Sequence, residues 1–357
     1  MSTGVDDRRG PGNYEYVTAR VRSRRASLFD DDDYRKLVRM GTGEIARFME
    51  DTEYSEEMNA LGSRYSGVDL IEYALNRNLA KHFEDLLRWS DGRLYDFIAR
   101  YLRKFDVWNV KTVIRGVYSG ATAEEISDDL IRAGEIPGDL LDRIAQADTI
   151  EAVVELLAPT VFGDALEAAY ADYEETDVLV PLENAVDRAF YEPLLSGLPQ
   201  VQEVDSPTGL YVEFLTAEID FRNLRNALRL ARSGAEIDPA EYFIDGGKLF
   251  DRATVEGLVA NREQLIATVR DSRYGDEIDD ALDDLEQADD LIQFEHALDA
   301  ALLEYADKLT NRYPLSICPV LSYVLAKERE VDNIRAIARG REAGLEPDEI
   351  ERELVIL

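Results

Sequence analysis

A pattern that returns three times constrains this chain more than any other feature, because a sequence recurring at a fixed period folds as recurring structural units. Asp106-Val-Trp-Asn109-Val-Lys111-Thr-Val-Ile-Arg115-Gly116 returns as Asp220-Phe-Arg-Asn223-Leu-Arg225-Asn-Ala-Leu-Arg229, and again as Glu330-Val-Asp-Asn333-Ile-Arg335-Ala-Ile-Ala-Arg339-Gly340. Each copy places an acid, Asn three residues later, then an aliphatic residue, a base, and Arg six after the Asn. The three Asn residues lie 114 and 110 positions apart. The first and third copies align without a gap from Asn109–Leu130 onto Asn333–Leu354. Asn109, Arg115, Gly116, Gly120, Glu125, Ile126 and Leu130 meet identical residues there.

Two further markers keep the same order. Ile71-Glu72-Tyr-Ala74-Leu75-Asn76 matches Leu182-Glu183-Asn-Ala185-Val186-Asp187 and Phe294-Glu295-His-Ala297-Leu298-Asp299. Thr52-Glu-Tyr54 matches Thr160-Val-Phe162 and Ser272-Arg-Tyr274. The repeats divide the chain into a disordered lead at 1–13 and three helical domains at 14–135, 136–245 and 246–357.

Each domain reads as helix. Ala, Leu, Glu and Arg dominate, and apolar residues step by three and four, as Leu70, Tyr73, Ala74, Leu79 and Phe83 do. Thr122-Ala-Glu-Glu125, Asp238-Pro239-Ala-Glu241 and Glu346-Pro347-Asp-Glu349 are expected helix starts, and Gly120, Gly234 and Gly344 just upstream are expected helix ends. No stretch sustains strand alternation. The expected fold is all-α, with three similar domains.

Charge narrows the function. With 74 acids against 40 bases, the net charge is −34, which excludes a general nucleic-acid binder because phosphate neutralisation needs a basic surface. Only seven of the bases are lysine. Such a surface repels itself at low salt and is screened at molar salt, where the Debye length is about 3 Å. The composition therefore reads as adapted to a salty cytoplasm. Cys318 is the only cysteine, so no intramolecular disulfide or cysteine-based zinc site can form, as suits a reducing compartment. The N-terminus lacks the apolar run of a signal peptide. The uncharged stretch 313–326 is shorter than the ~20 residues that span a bilayer.

Catalytic motifs are scarce. Asp30-Asp31-Asp32-Asp33, together with Asp279, Asp280, Asp283 and Asp284, gives the alternative reading of a magnesium-dependent helical enzyme handling diphosphates, since hard cations want clustered carboxylates. In so acidic a chain such runs arise without function, and acids favour helix N-termini anyway. His82 and His296 fall on helices without partner ligands at metal spacing. Cys318 reads as a small buried hydrophobe. Gly41-Thr-Gly43 and Asp245-Gly246-Gly247 read as turns. No phosphate-binding glycine loop is present, and no cofactor is expected.

A basic stripe is more informative. Arg222, Arg225, Arg229 and Arg232 step by 3, 4 and 3, which places them on one helix face. Lys111 and Arg115 hold the equivalent places in the first repeat, as Arg335 and Arg339 do in the third. In a chain this acidic, such a stripe pairs with acids of a neighbouring repeat, or lines a surface that receives an acidic or carbonyl-ended helix of a partner.

The segments Tyr14-Glu-Tyr-Val-Thr-Ala-Arg-Val-Arg-Ser23, Lys104-Phe-Asp-Val-Trp-Asn109 and Glu330-Val-Asp-Asn333 to Gly340, with the threefold repeat, resemble the C-subunit family of archaeal-type (A/V-type) ATP synthases, to which the d-type subunit of the eukaryotic vacuolar proton pump is related. The resemblance covers nearly the whole chain after the lead. It implies a funnel of three helical domains with no active site, peripheral to the cytoplasmic face of the cell membrane. The implied partners are the central-stalk subunits and the membrane proteolipid ring. The implied role is to carry torque between ion transport and ATP synthesis or hydrolysis.

Overall fold

A computed structural model describes residues 10, 12–196, 198, 206–233, 243–249, 251–254, 261–272, 274–275, 279, 282–283, 291–352 and 354–355. Among these residues the regular secondary structure is helical and no strand occurs, so the fold is all-α. In chain order the helices are α1 Tyr14–Arg25, α2 Asp31–Leu37, α3 Thr42–Met49, α4 Ser55–Leu61, α5 Gly67–Trp89, α6 Gly92–Leu102, α7 Lys104–Ser119, α8 Ala123–Asp128 and α9 Gly138–Ala145. They continue as α10 Ile150–Leu157, α11 Gly163–Thr176, α12 Val180–Leu194, α13 Pro207–Ser233, α14 Arg262–Arg270, α15 Leu291–Arg312, α16 Cys318–Glu342 and α17 Pro347–Glu351.

These helices gather into two compact units, one formed by Asn13–Phe48 with Gly197–Leu357, the other centred on Met49–Ser196. Units and repeats are different divisions of the chain. The expected boundaries near Ile136 and Gly246 fall inside the units, beside the joints described below.

In the unit centred on Met49–Ser196, α5 packs on α4 and α6, α7 on α10 and α12, and α11 on α12. Ile71, Leu75, Phe83 and Leu86 of α5 and Val110, Val113 and Ile114 of α7 are buried, and the Phe83 and Phe105 rings lie 4.9 Å apart. Each large aliphatic or aromatic side chain so buried contributes about 1.5–3 kcal/mol. The expected capping box at Thr122 and Glu125 starts α8, and Gly120 ends α7 with φ 76°. Thr52 and Thr160 turn the chain identically. Each hydroxyl donates to a carbonyl three residues back and accepts from the N–H two residues on.

In the other unit, α13 packs on α15, α15 on α16, and α1 and α2 on α16. Phe221, Leu224, Leu265, Val269, Tyr274 and Leu298 lie in its core. Ser272 accepts from the Tyr274 N–H as its counterparts do, and the Glu346–Glu349 box starts α17. Gly344 is left-handed at φ 78°, matching Gly120. The expected Asp238–Glu241 start and Gly234 end lie outside the described residues. Gly41 fits its expected turn, but Thr42 and Gly43 already belong to α3, because the Glu44 carboxylate caps the Gly41 N–H and brings the helix forward.

Gly116 and Gly340 owe their identity to packing. A Cβ on Gly116 would lie 2.5 Å from the Ile126 side chain, and one on Gly340 2.8 Å from that of Ile350. The same glycine thus admits the same isoleucine of the following short helix in the first and third repeats.

Candidate functional site

The repeated Asn makes one joint three times. Asn109 donates to the Ile131 carbonyl at 2.7 Å and accepts from the Ile131 N–H at 2.8 Å. Asn223 treats Ile244 in the same way at 2.8 and 2.9 Å, and Asn333 treats Val355 so at 3.0 and 3.0 Å. All three Asn side chains are buried, on α7, α13 and α16. A carboxamide can offer both a donor and an acceptor, which an uncharged buried peptide group needs and no carboxylate can supply.

The acid one turn earlier makes a second joint, to the segment that follows. Asp106 accepts from the N–H groups of Glu135 and Ile136 at 2.7 and 3.1 Å. Asp220 accepts from Lys248 and Leu249 at 2.7 and 2.8 Å, and from the Tyr274 hydroxyl at 2.8 Å. These carboxylates approach so closely that a Cβ on Gly134 or Gly247 would lie 2.0 or 2.2 Å from an oxygen of Asp106 or Asp220. Burial pushes the Asp106 carboxyl up to about 6 against the pull of its two backbone donors, and it also raises that of Asp220. In the third repeat Glu330 accepts from the Phe29 N–H at 2.6 Å and from Lys327 at 2.7 Å, with Lys327 itself fully buried.

The basic stripe links successive repeats within each unit. Lys111 on α7 meets Asp187 on α12 at 2.5 Å. One turn on, Arg115 grips Glu183 through both oxygens at 2.6 and 2.8 Å. Burial opposes ionisation of Glu183, yet the hydrogen bond and charge of Arg115, with Lys111 nearby, hold its carboxyl below the usual range. Arg225 on α13 pairs with Asp299 on α15, the counterpart of Asp187. In the third repeat Arg335 pairs with Asp332 on its own helix at 2.8 Å, and Arg339 is exposed. Arg222 is half-buried on α13; Arg229 and Arg232 are on the same helix, and their side chains lie outside the described residues. Thus Lys111, Arg115 and Arg225 each reach a neighbouring repeat.

The acid clusters have structural partners. Asp30 caps α2 by accepting from the Asp33 N–H, Asp33 returns the bond and pairs with Lys36, and Asp32 pairs with Arg35. Asp279 and Asp283 both pair with Arg270; Asp280 and Asp284 lie outside the described residues. Among the described residues no group of three His, Cys, Asp or Glu could hold a metal ion. His82 is buried on α5, and His296 is on α15. Cys318 is buried, and burial pushes its thiol up, away from the reactive thiolate.

Fold and joints together define an all-α protein in which buried polar groups at recurring sequence positions hold separate segments of the chain together. The family model described as "ATP synthase (C/AC39) subunit" matches residues 17–353, and the chain belongs to that family. The C subunit of the A-type ATP synthase of Haloferax volcanii is 66% identical over 348 residues, covering 98% of this chain and 99% of the relative. The protein of the same name from Halobacterium salinarum is 62% identical, with the same coverage. That from Methanococcoides burtonii is 35% identical over 346 residues, covering 96% and 94%. The family comprises structural subunits of ATP synthases rather than enzymes in their own right. Haloarchaeal relatives accord with the salt adaptation that the acidity implies. No described helix is long and apolar enough to cross a membrane.

Proposed function

We propose that this chain is the non-catalytic adaptor of an A-type ATP synthase, joining the central-stalk subunits to the membrane proteolipid ring at the cytoplasmic face and carrying torque between them. Its relatives bear the name of that synthase's C subunit. The observation that carries the mechanical part is the pair Lys111–Asp187 and Arg115–Glu183, which ties α7 to α12 of the next repeat at two points a helical turn apart. A part that transmits torque must resist shear between its segments, and two ties a turn apart resist sliding and rotation better than one. Exposed Arg339 is the part of the stripe assigned to the stalk, where a cation suits a helix C-terminus or an acidic surface.

The test is charge exchange in the reconstituted synthase. Lys111→Asp alone should lower the ions pumped per ATP hydrolysed, and Lys111→Asp with Asp187→Lys should restore the ratio. Arg339→Glu should weaken stalk binding while leaving the fold intact. Normal coupling in a folded Lys111→Asp synthase would remove the tie from the torque path. A wild-type chain that joins neither stalk nor ring would overturn the adaptor reading itself.

A further inference from the structure

The helix α1 runs against the charge of the whole protein. In a chain of net charge −34, its sequence YEYVTARVRSRR carries Arg20, Arg22, Arg24 and Arg25 against the single acid Glu15. Arg25 points inward, bonded to Asp307 and Ser322. Arg22 donates to the Pro314 carbonyl at 3.4 Å, which sets α1 beside the turn between α15 and α16. That turn carries Leu315, the most exposed large hydrophobic among the described residues at 59%, with exposed Arg312 before it. Tyr16, near the start of α1, is 49% exposed. Guanidinium groups lie over Tyr16 and over Tyr313 in the turn, Arg20 above Tyr16 at 4.6 Å and Arg312 above Tyr313 at 5.6 Å. Lys308, a turn before Arg312 on α15, is exposed as well.

An exposed leucine on a turn, beside tyrosines stacked under arginines, is the chemistry of a surface that meets anionic headgroups: cations reach phosphate while Leu and Tyr enter the interfacial layer. A partner helix would instead call for a concave apolar groove. Charge complementarity also fixes orientation. An anionic bilayer repels a protein of net charge −34 as a whole but attracts this cluster of arginines. Molar salt screens both long-range effects, leaving contact pairs between guanidinium and phosphate and the burial of Leu315. The geometry points to α1 and the α15–α16 turn as a docking tip for an anionic lipid surface, with Arg22, Arg312 and Leu315 making the contact. This rests on the membrane-peripheral placement proposed above.

The experiment is co-sedimentation of the full-length chain with phosphatidylglycerol–phosphatidylcholine vesicles, and with phosphatidylcholine vesicles alone, across a potassium chloride series. Binding should require phosphatidylglycerol. The double substitution Arg22→Gln with Arg312→Gln should weaken it on the order of tenfold, and Leu315→Ser should weaken it with the charge unchanged. Arg88→Gln, exposed on α5 elsewhere, should leave it unaltered. Melting temperatures confirm that each variant is folded. Equal binding of wild type and the double variant, or of both vesicle types, overturns the inference. So does a double variant that binds vesicles normally yet fails to enter the synthase, since the tip then meets an acidic protein. Absence of vesicle binding by a wild-type chain that assembles into the synthase removes the lipid contact and leaves the adaptor reading standing. Failure of the wild type to assemble falls on the adaptor reading alone.

Discussion

The backbone N–H of Phe29 donates to the carboxylate of Glu330 at 2.6 Å, across 301 residues of chain. Phe29 thereby takes the place that Glu135 holds opposite Asp106 and Lys248 opposite Asp220. The residue before each clasped N–H is Gly134 and Gly247 in the first two joints and Leu28 in the third. Where glycine leaves room, the short Asp reaches the backbone directly. Where Leu28 stands, the acid is Glu, one methylene longer. The last repeat thus holds the start of the first by the device that joins the others.

Glu330 also neutralises Lys327, whose side chain has no exposure. Replacing Glu330 by Ala should take the carboxylate from a buried ammonium and the acceptor from the Phe29 N–H, at a cost of about 3–5 kcal/mol. The double variant Lys327→Met with Glu330→Gln removes the charge and keeps an acceptor, so it should recover most of that loss. Denaturant unfolding at fixed salt reads both. Equal destabilisation of the single and double variants would refute the charge argument.

At Asn109, substitution by Ala leaves the Ile131 N–H buried without its acceptor and the Ile131 carbonyl with only the Ala133 N–H as donor, a loss of about 2 kcal/mol. Asn109→Asp keeps the shape but presents an anion to the Ile131 carbonyl. At neutral pH it should be at least as harmful as Ala, and it should improve in acid as the carboxyl gains a proton to donate. Unfolding curves for the three proteins at two pH values provide the measurement. An Asp variant as stable as wild type at neutral pH would contradict the two-way joint.

Asp106 should titrate near pH 6 in the folded protein, against about 3.9 unfolded. A raised acid binds its proton more tightly when folded. Its contribution therefore favours folding below about pH 4, falls as pH rises from about 4 to 6, and is constant above. The difference is about 3 kcal/mol across that window. Carbon-13 carboxyl shifts resolve this residue from the other acids. A midpoint at or below 4 would mean that the Glu135 and Ile136 N–H groups outweigh burial.

Much of this was legible because the joints recur. The Asn, the acid one turn before it and the glycine after it appear as letters at a spacing near 110 residues. Their partners do not, because Ile131, Ile244 and Val355 are held through backbone atoms that any residue carries. The stripe declared its helix face through its 3, 4, 3 spacing, and its acids were visible as Glu183 and Asp187 on the other repeated motif. That Lys111, Arg115 and Arg225 meet the acids of the next repeat follows from how helices pack, which spacing along one helix leaves open. The pairing of Glu330 with Phe29 gave no local signal, since nothing in either segment marks a partner at the other end of the chain.

Salt should stabilise this protein, and the inter-repeat ties decide how far. A charge of −34 repels itself, and molar potassium chloride removes most of that repulsion by shortening the Debye length to about 3 Å. The same screening weakens exposed pairs such as Arg35–Asp32, which contribute little in any case. Lys111 and Asp187 are only 16% and 19% exposed, so ions reach them poorly and their attraction is screened less. The melting temperature should therefore rise from low salt to molar salt, while a double-mutant cycle on Lys111 and Asp187 should keep a coupling on the order of 1 kcal/mol at both ends of the series. Scanning calorimetry of wild type, Lys111→Met, Asp187→Asn and the double variant measures both quantities. A melting temperature that stays flat or falls with salt would refute relief of self-repulsion as the source of stability. A coupling that vanishes at molar salt would show that the tie behaves as a surface pair, too weak to stiffen the joint between repeats.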